Sequence, residues 1–246
     1  IFLALFQLVV LNFVIFFCPE TNHSKNTEST KPSLVIANYS ALLSNRVFIG
    51  FILGAGSVMG LNATYAVIAP FLFQEQFQLS PAAFGFISIV LGAGSLLSKL
   101  LNTWVVRKIK IRGSIILSYM LISGAGFFLL GFRILNISSV VSVILGIFIA
   151  TLSFGFMMSN ALAGAVTPFR HMGGTATALY GSIQVIIGFL GSSIVSALPW
   201  HSDLTLALTY LCTGIFGFLV FITLVPRSSE VKYKRSEIAS PLRASQ

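Results

Sequence analysis

Apolar residues gather in seven stretches along the chain, at 1–17, 47–69, 83–106, 113–132, 139–160, 173–198 and 204–225, with short polar segments between them. Six of the stretches reach the roughly 20 residues that an α-helix needs to cross a bilayer. The first is shorter and reads as the end of a preceding transmembrane helix. Each spanning stretch must be helical, because hydrocarbon offers no hydrogen-bond partner to an open backbone. The pattern predicts an all-α integral membrane protein with a linker at 18–46, a six-helix unit at 47–225 and a tail at 226–246.

The basic residues give that unit a direction. Three lie at 18–46 (Lys25, Lys31, Arg46), four at 107–112 (Arg107, Lys108, Lys110, Arg112), one at 161–172 (Arg170) and five beyond Pro226. The alternate gaps hold Arg133 alone, so the split is thirteen against one. Lys and Arg are retained on the cytoplasmic face, which places the linker and the tail in the cytoplasm and residue 1 on the outside.

Composition agrees and excludes several classes. With 56% hydrophobic and 9% charged residues, the chain cannot clothe a soluble surface. The net charge of +9 sits at helix ends rather than on a folded basic domain, so anionic lipid headgroups are expected as its partner and nucleic acid is not. Cys18 and Cys212 are too few for a disulfide framework or a metal cluster. No enzyme is expected: Glu75 and Asp203 fall in outer loops, the three histidines lie in separate loops, and no nucleotide-binding Gly-Lys loop exists. Neither a catalytic residue nor a cofactor or metal is therefore assigned.

Polar residues inside the spans are the candidates for contact with a solute. Asn62 and Tyr65 share a face of the helix at 47–69, Asn160 closes the helix at 139–160, and Tyr180 and Gln184 share a face of the helix at 173–198. Each is uncharged, and each would serve equally as hydrogen-bond glue between helices. Ser88, Gly92, Ser95, Lys99 and Asn102 recur at four-three spacing and form one stripe that should face protein or water. Lys99 either snorkels to the headgroups or lines a watery route. Gly50, Gly54, Gly56 and Gly60, and the Gly174-Ala178-Ser182 run with Gly181, Gly188 and Gly191, are expected to let helix backbones pack closely.

Several local runs carry a family likeness. Phe154-Gly155-Phe156-Met157-Met158-Ser159-Asn160-Ala161, Gly173-Gly174-Thr175-Ala176-Thr177-Ala178-Leu179 and Gln184 resemble the tenth and eleventh helices of the Bcr/CflA-type drug:proton antiporters, a group of the major facilitator superfamily. Tyr39, Leu42, Leu43 and Arg46, then Ala69-Pro70-Phe71, and Asn102 with Val106-Arg107 are similar to the surroundings of that family's seventh and eighth helices. Cys18-Pro19-Glu20-Thr21 resembles the close of its sixth helix, and the basic run at 107–112 is a degenerate form of its characteristic loop. The resemblance implies the C-terminal half of a transporter in a bacterial inner membrane, with the N-terminal half supplied from elsewhere. It also implies an amphiphilic drug-like substrate and a proton as coupling ion. Because no Asp or Glu lies within the spans, the coupling acid is expected in the other half.

Three alternatives stand beside that reading. One is a facilitator for a sugar, nucleoside or amino acid, which would call for more hydrogen-bonding groups than this chain offers. Another is a seven-helix receptor or retinal protein, although the last helix, at 204–225, lacks the attachment lysine. The third is a transporter remnant without activity of its own.

Overall fold

A computed structural model describes residues 2–17, 32–197 and 202–226. The expectations for 18–31 and for the tail from 227 onward lie outside those residues. Among the described residues all regular structure is helical: α1 (Phe2–Phe17), α2 (Pro32–Leu43), α3 (Arg46–Pro70), α4 (Pro81–Ile134), α5 (Val140–Val166), α6 (Gly173–Ser196) and α7 (Asp203–Leu224). Two compact units divide the chain, residues 1–37 and 38–246.

In the first unit α1 is apolar apart from Gln7 and Asn12, as suits a lipid-facing helix. Of these two, Asn12 donates to the Leu8 carbonyl at 2.8 Å and so hides its amide on its own helix. Phe13 stacks on Phe17 at 4.5 Å. The segment expected as linker forms α2 from residue 32; Leu42, in the part that belongs to the second unit, is fully buried.

The second unit carries the long apolar helices. Four continuous stretches are long and apolar enough to span, at Arg46–Gln76, Pro81–Ile134, Val140–Ser196 and Asp203–Leu224. The 54 residues of α4 would reach about 80 Å if straight, far more than a bilayer needs. Its helical geometry breaks at Lys110, where φ is 62° and ψ is 178°. The break reverses the chain: Ser98 before it donates to the Leu152 carbonyl, and Ser118 after it donates to the Ser153 carbonyl at 3.1 Å. Two residues twenty apart can meet neighbouring points of α5 only if α4 folds back on itself. The long stretch Val140–Ser196 is likewise interrupted by a 3₁₀ segment, Thr167–Met172, opened by Pro168, which has no N–H to continue α5. Six helical segments result, at 46–76, 81–109, 111–134, 140–166, 173–196 and 203–224.

Local chemistry sets the ends. The Asn45 side chain accepts from the N–H groups of Val47 and Phe48, both at 3.0 Å, and starts α3. Ser80 caps α4 ahead of Pro81, and Ser139 with Ser142 forms a reciprocal capping box for α5. Beyond Pro70, α3 widens into a π-helical turn, Phe71–Gln76, closed by the Phe77 N–H on the Leu72 carbonyl at 3.1 Å.

Close packing gathers around α3, which touches α5, α6 and α7. A Cβ at Gly56 would lie 2.7 Å from Ile187 Cβ, and Gly60 rests against the backbone of Gly188, so small residues set the α3–α6 distance. The same expectation is not met at Gly174 and Gly181, where an added Cβ would meet nothing within 4 Å. The core continues through Phe48, Ile52, Ile115, Tyr119, Ile122 and Phe221, all nearly inaccessible.

The two ends of this bundle differ in charge. Gly50 abuts Leu224 and Val225, Phe48 meets Phe169 edge-on at 5.6 Å, and Arg112 donates to the Val225 carbonyl, so these termini lie at one end. That end carries Arg46, Arg107, Lys108, Lys110, Arg112 and Arg170. Arg112 also sits 5.9 Å from the centre of the Phe221 ring, so one guanidinium clasps the last turn of α7 by a carbonyl and an aromatic face. The opposite end holds Glu75, Arg133 and Asp203. Asp203 is not a loop residue: it opens α7 and is buried, accepting from its neighbour's N–H at 3.0 Å and facing Arg133 at 3.8 Å. Arg133 closes α4, so each charge also complements the dipole of its own helix terminus.

Candidate functional site

A small, half-open cleft lies between α3, α5 and α7. α3 presents Val58, Leu61, Asn62 and Tyr65 to it, and α5 presents Ile147, Ala150, Thr151, Ser153 and Phe154. Spacings of three and four along both helices put these residues on one face of each, and Tyr210 of α7 closes the third side. The lining is mixed: branched apolar groups and two tyrosines, with one amide and two hydroxyl groups, and no formal charge. Asn62 is exposed at its edge, whereas the Tyr65 hydroxyl is buried and has no hydrogen-bond partner within the protein. A buried donor left unmade is costly in a low-dielectric interior, so this hydroxyl calls for water or a solute group.

The five neutral residues singled out in the sequence do not all meet here. Asn62 and Tyr65 line the cleft. Asn160 is buried, and both hydrogens of its amide are used, one on Asn102 Oδ1 at 2.6 Å and the other on the Phe156 carbonyl at 2.7 Å. It ties α5 to the first arm of α4. Tyr180 and Gln184 stand on α6, which contributes no residue to the cleft. Their polar atoms resemble that of Tyr65, since the Tyr180 hydroxyl and Gln184 Oε1 are buried without a partner.

Lys99 lies on the first arm of α4 and is exposed. The packed stripe of that arm is Ile87, Leu91, Gly94, Ser98 and Asn102, so Asn102 belongs to it rather than to the Ser88-Gly92-Ser95-Lys99 row alongside. Residues that the sequence pattern passes over are Thr151, Ser153 and Tyr210. Hydroxyl groups are common in membrane helices, and only the pairing of α5 with α3 and α7 distinguishes these from the rest. Among the described residues no group of three His, Cys, Asp or Glu is placed to hold a metal.

Comparison with known proteins agrees with this architecture. The family model described as Major Facilitator Superfamily matches residues 1–192. A relative in Bacillus subtilis (strain 168), the uncharacterized MFS-type transporter YdgK, is 24% identical over 196 residues, covering 77% of this chain. The chain spans about half of that protein's length, the aligned part being 46% of it. No solved structure matches. With the family model covering most of the chain and a helical membrane body built as described, the chain belongs to the Major Facilitator Superfamily, whose members are multi-pass transporters and not enzymes.

Proposed function

We propose that residues 47–225 form the C-terminal half of a drug or multidrug exporter driven by proton antiport. The observation that carries this reading is the cleft, whose wall combines aromatic and branched apolar surface with a few neutral hydrogen-bonding groups. Such a lining holds amphiphilic solutes by area and orients them by one or two hydrogen bonds. A sugar or nucleoside would bring many hydroxyl groups and leave most of them unpaired against Val58, Leu61, Ile147 and Phe154.

In this reading the two halves rock about a site near the bilayer midplane and open it to each side in turn. Asn62 and Tyr65, with Tyr180 and Gln184 on α6, supply a neutral wall for the substrate. Asn160, held by Asn102, keeps the α4–α5 pair rigid behind that wall. The only described carboxylates are Glu75 and Asp203, both at the end opposite the basic cluster, so the proton is carried by an acid of the other half. The basic end faces the cytoplasm of a bacterial cell, beneath anionic lipid.

The full-length protein in liposomes, with a pH gradient imposed across the membrane, tests the reading. Uptake of amphiphilic dyes that follows the gradient and collapses with a protonophore is the expected result. Transport indifferent to the gradient, or selective for a sugar, overturns it. Tyr65→Phe and Gln184→Ala should each change the order of preference among substrates; an unaltered profile in both removes these residues from the wall.

A further inference from the structure

Resting on the transporter reading, we propose that Lys99 is a water-facing cation on the transport route and that an anionic group, a carboxylate or its equivalent, sits opposite it.

The first arm of α4, residues 81–109, has one packed side and a broad exposed side, on which large apolar residues and a row of small and polar ones are separated. Ile87, Leu91, Gly94 and Ser98 pack against the body of the unit. Phe86, Val90, Leu97, Leu101 and Trp104 are exposed and large, as lipid contact requires. Ser88, Gly92, Ser95, Lys99 and Thr103 form the row, half or fully exposed, with no large apolar side chain among them. At 100° per residue this row lies opposite Phe86, Val90 and Leu97, between the packed stripe on one side and the exposed Ile89, Leu96 and Leu100 on the other. A row of small and polar residues next to the packed stripe, at the border of the apolar surface, is suited to protein or water rather than to lipid.

Depth strengthens the point. Lys99 stands eleven residues before the break at Lys110, about 16 Å along the axis, and its backbone N lies 2.9 Å from the place a Cβ of Gly155 would take, midway along α5. It is therefore level with Ser153 and Phe154 of the cleft. Side chains on a helix leave toward its N-terminus, so the Lys99 stem points toward Ser95 and away from the basic end where headgroups would receive it. Snorkelling works against the helix geometry here. An ammonium at this depth is costly unless it is hydrated or paired, and such residues mark solute or ion paths. Among the described residues Glu75 and Asp203, the two carboxylates, both lie at the far end, and Asp203 already faces Arg133. The pairing charge comes from the solute or from the rest of the transporter.

The test uses the full-length protein with Cys18 and Cys212 replaced by Ser, a single thiol introduced by Ser95→Cys, and anionic and cationic methanethiosulfonate reagents. The thiol at 95 should react many times faster than one introduced by Leu97→Cys on the lipid face. Replacing Lys99 by Gln should shift the anionic-to-cationic rate ratio by about tenfold toward the cation, the effect of one charge a turn away, while Lys99→Arg should preserve it. Protection of the thiol by 1-naphthoate but not by 1-naphthamide assigns the anion to the solute. A fall of a few degrees in melting temperature in Lys99→Gln, with protection by neither probe, assigns it to an acid of the protein. Either result supports an anion opposite Lys99. Reaction at 95 no faster than at 97, or a rate ratio indifferent to Lys99, overturns the proposal. Failure of the drug-export reading looks different, since dye transport would be absent while the labelling pattern stayed.

Discussion

Asn160 shows what a single residue's environment decides. Its type and position on an apolar helix suit either a solute contact or a tie between helices, and the choice is made by Asn102, fifty-eight positions away. Nothing in the local pattern announces that partner, because the register of α4 against α5 depends on the whole fold. Asn160→Ala leaves Asn102 Oδ1 buried without its donor, and the expected loss is about 1 kcal/mol of stability, typical of polar pairs in membranes. Thermal unfolding in detergent should show Asn102→Ala and Asn160→Ala costing less together than the sum of the two alone, the signature of a direct pair. Strictly additive losses would show that the bond is not formed. Lys110 makes the converse case. Its backbone, at φ 62° and ψ 178°, lies in a region that essentially only glycine occupies without cost. Lys110→Gly should therefore stabilise the unit by about 1 kcal/mol, after the added freedom of the unfolded chain is subtracted. An unchanged or lowered melting temperature would mean that the turn is not strained.

At the scale of elements, the six helical segments are legible because each is a continuous apolar run and each turn between them holds polar or helix-breaking residues. Pro168, Ser80-Pro81 and the Ser139–Ser142 pair all mark boundaries in the sequence. What periodicity could not separate were adjacent stripes of one helix. The row Ser88, Gly92, Ser95, Lys99 and Asn102 reads as one face, yet Asn102 packs inward, in line with Ser98, while Lys99 does not. A shift of one residue turns a helix face by 100°, and in lipid the apolar side gives no clue to which polar side is buried. Glycines divide in the same way. Gly155 sits against Ser98, whose hydroxyl bonds to the Leu152 carbonyl, so Gly155→Ala should push α4 from α5 and cost about 1–3 kcal/mol. Gly181→Ala meets open space and should leave thermal stability unchanged or raise it slightly through helix propensity. Equal effects at the two positions would contradict the packing described for α4 and α5.

For the molecule as a whole, the asymmetry between its ends carries the most information. One end gathers the start of α3, α4's reversal, the α5–α6 turn and the end of α7, and with them Arg46, Arg107, Lys108, Lys110, Arg112 and Arg170. At the other end Arg133 lies against the buried Asp203, so the one basic residue that breaks the charge alternation is offset by an acid from another helix. Two consequences separate the charges that orient from the charges that hold. Arg107, Lys108 and Lys110 are exposed and make no described bond to the fold, so neutralising them should weaken orientation and leave packing intact. Arg112 is tied to α7 through Val225 and Phe221, so Arg112→Gln should loosen the last helix instead. A reporter pair fused after residue 226 tests the distinction, with one member fluorescent only in the cytoplasm and the other active only outside. The parent should give the cytoplasmic signal alone. The triple Gln variant should give a mixed signal, since the retention signal at the α4 reversal falls to Arg112 alone. Arg112→Gln should keep the parent orientation but unfold at lower temperature. A pure cytoplasmic signal from the triple variant would place the orienting information elsewhere, in the linker or the tail.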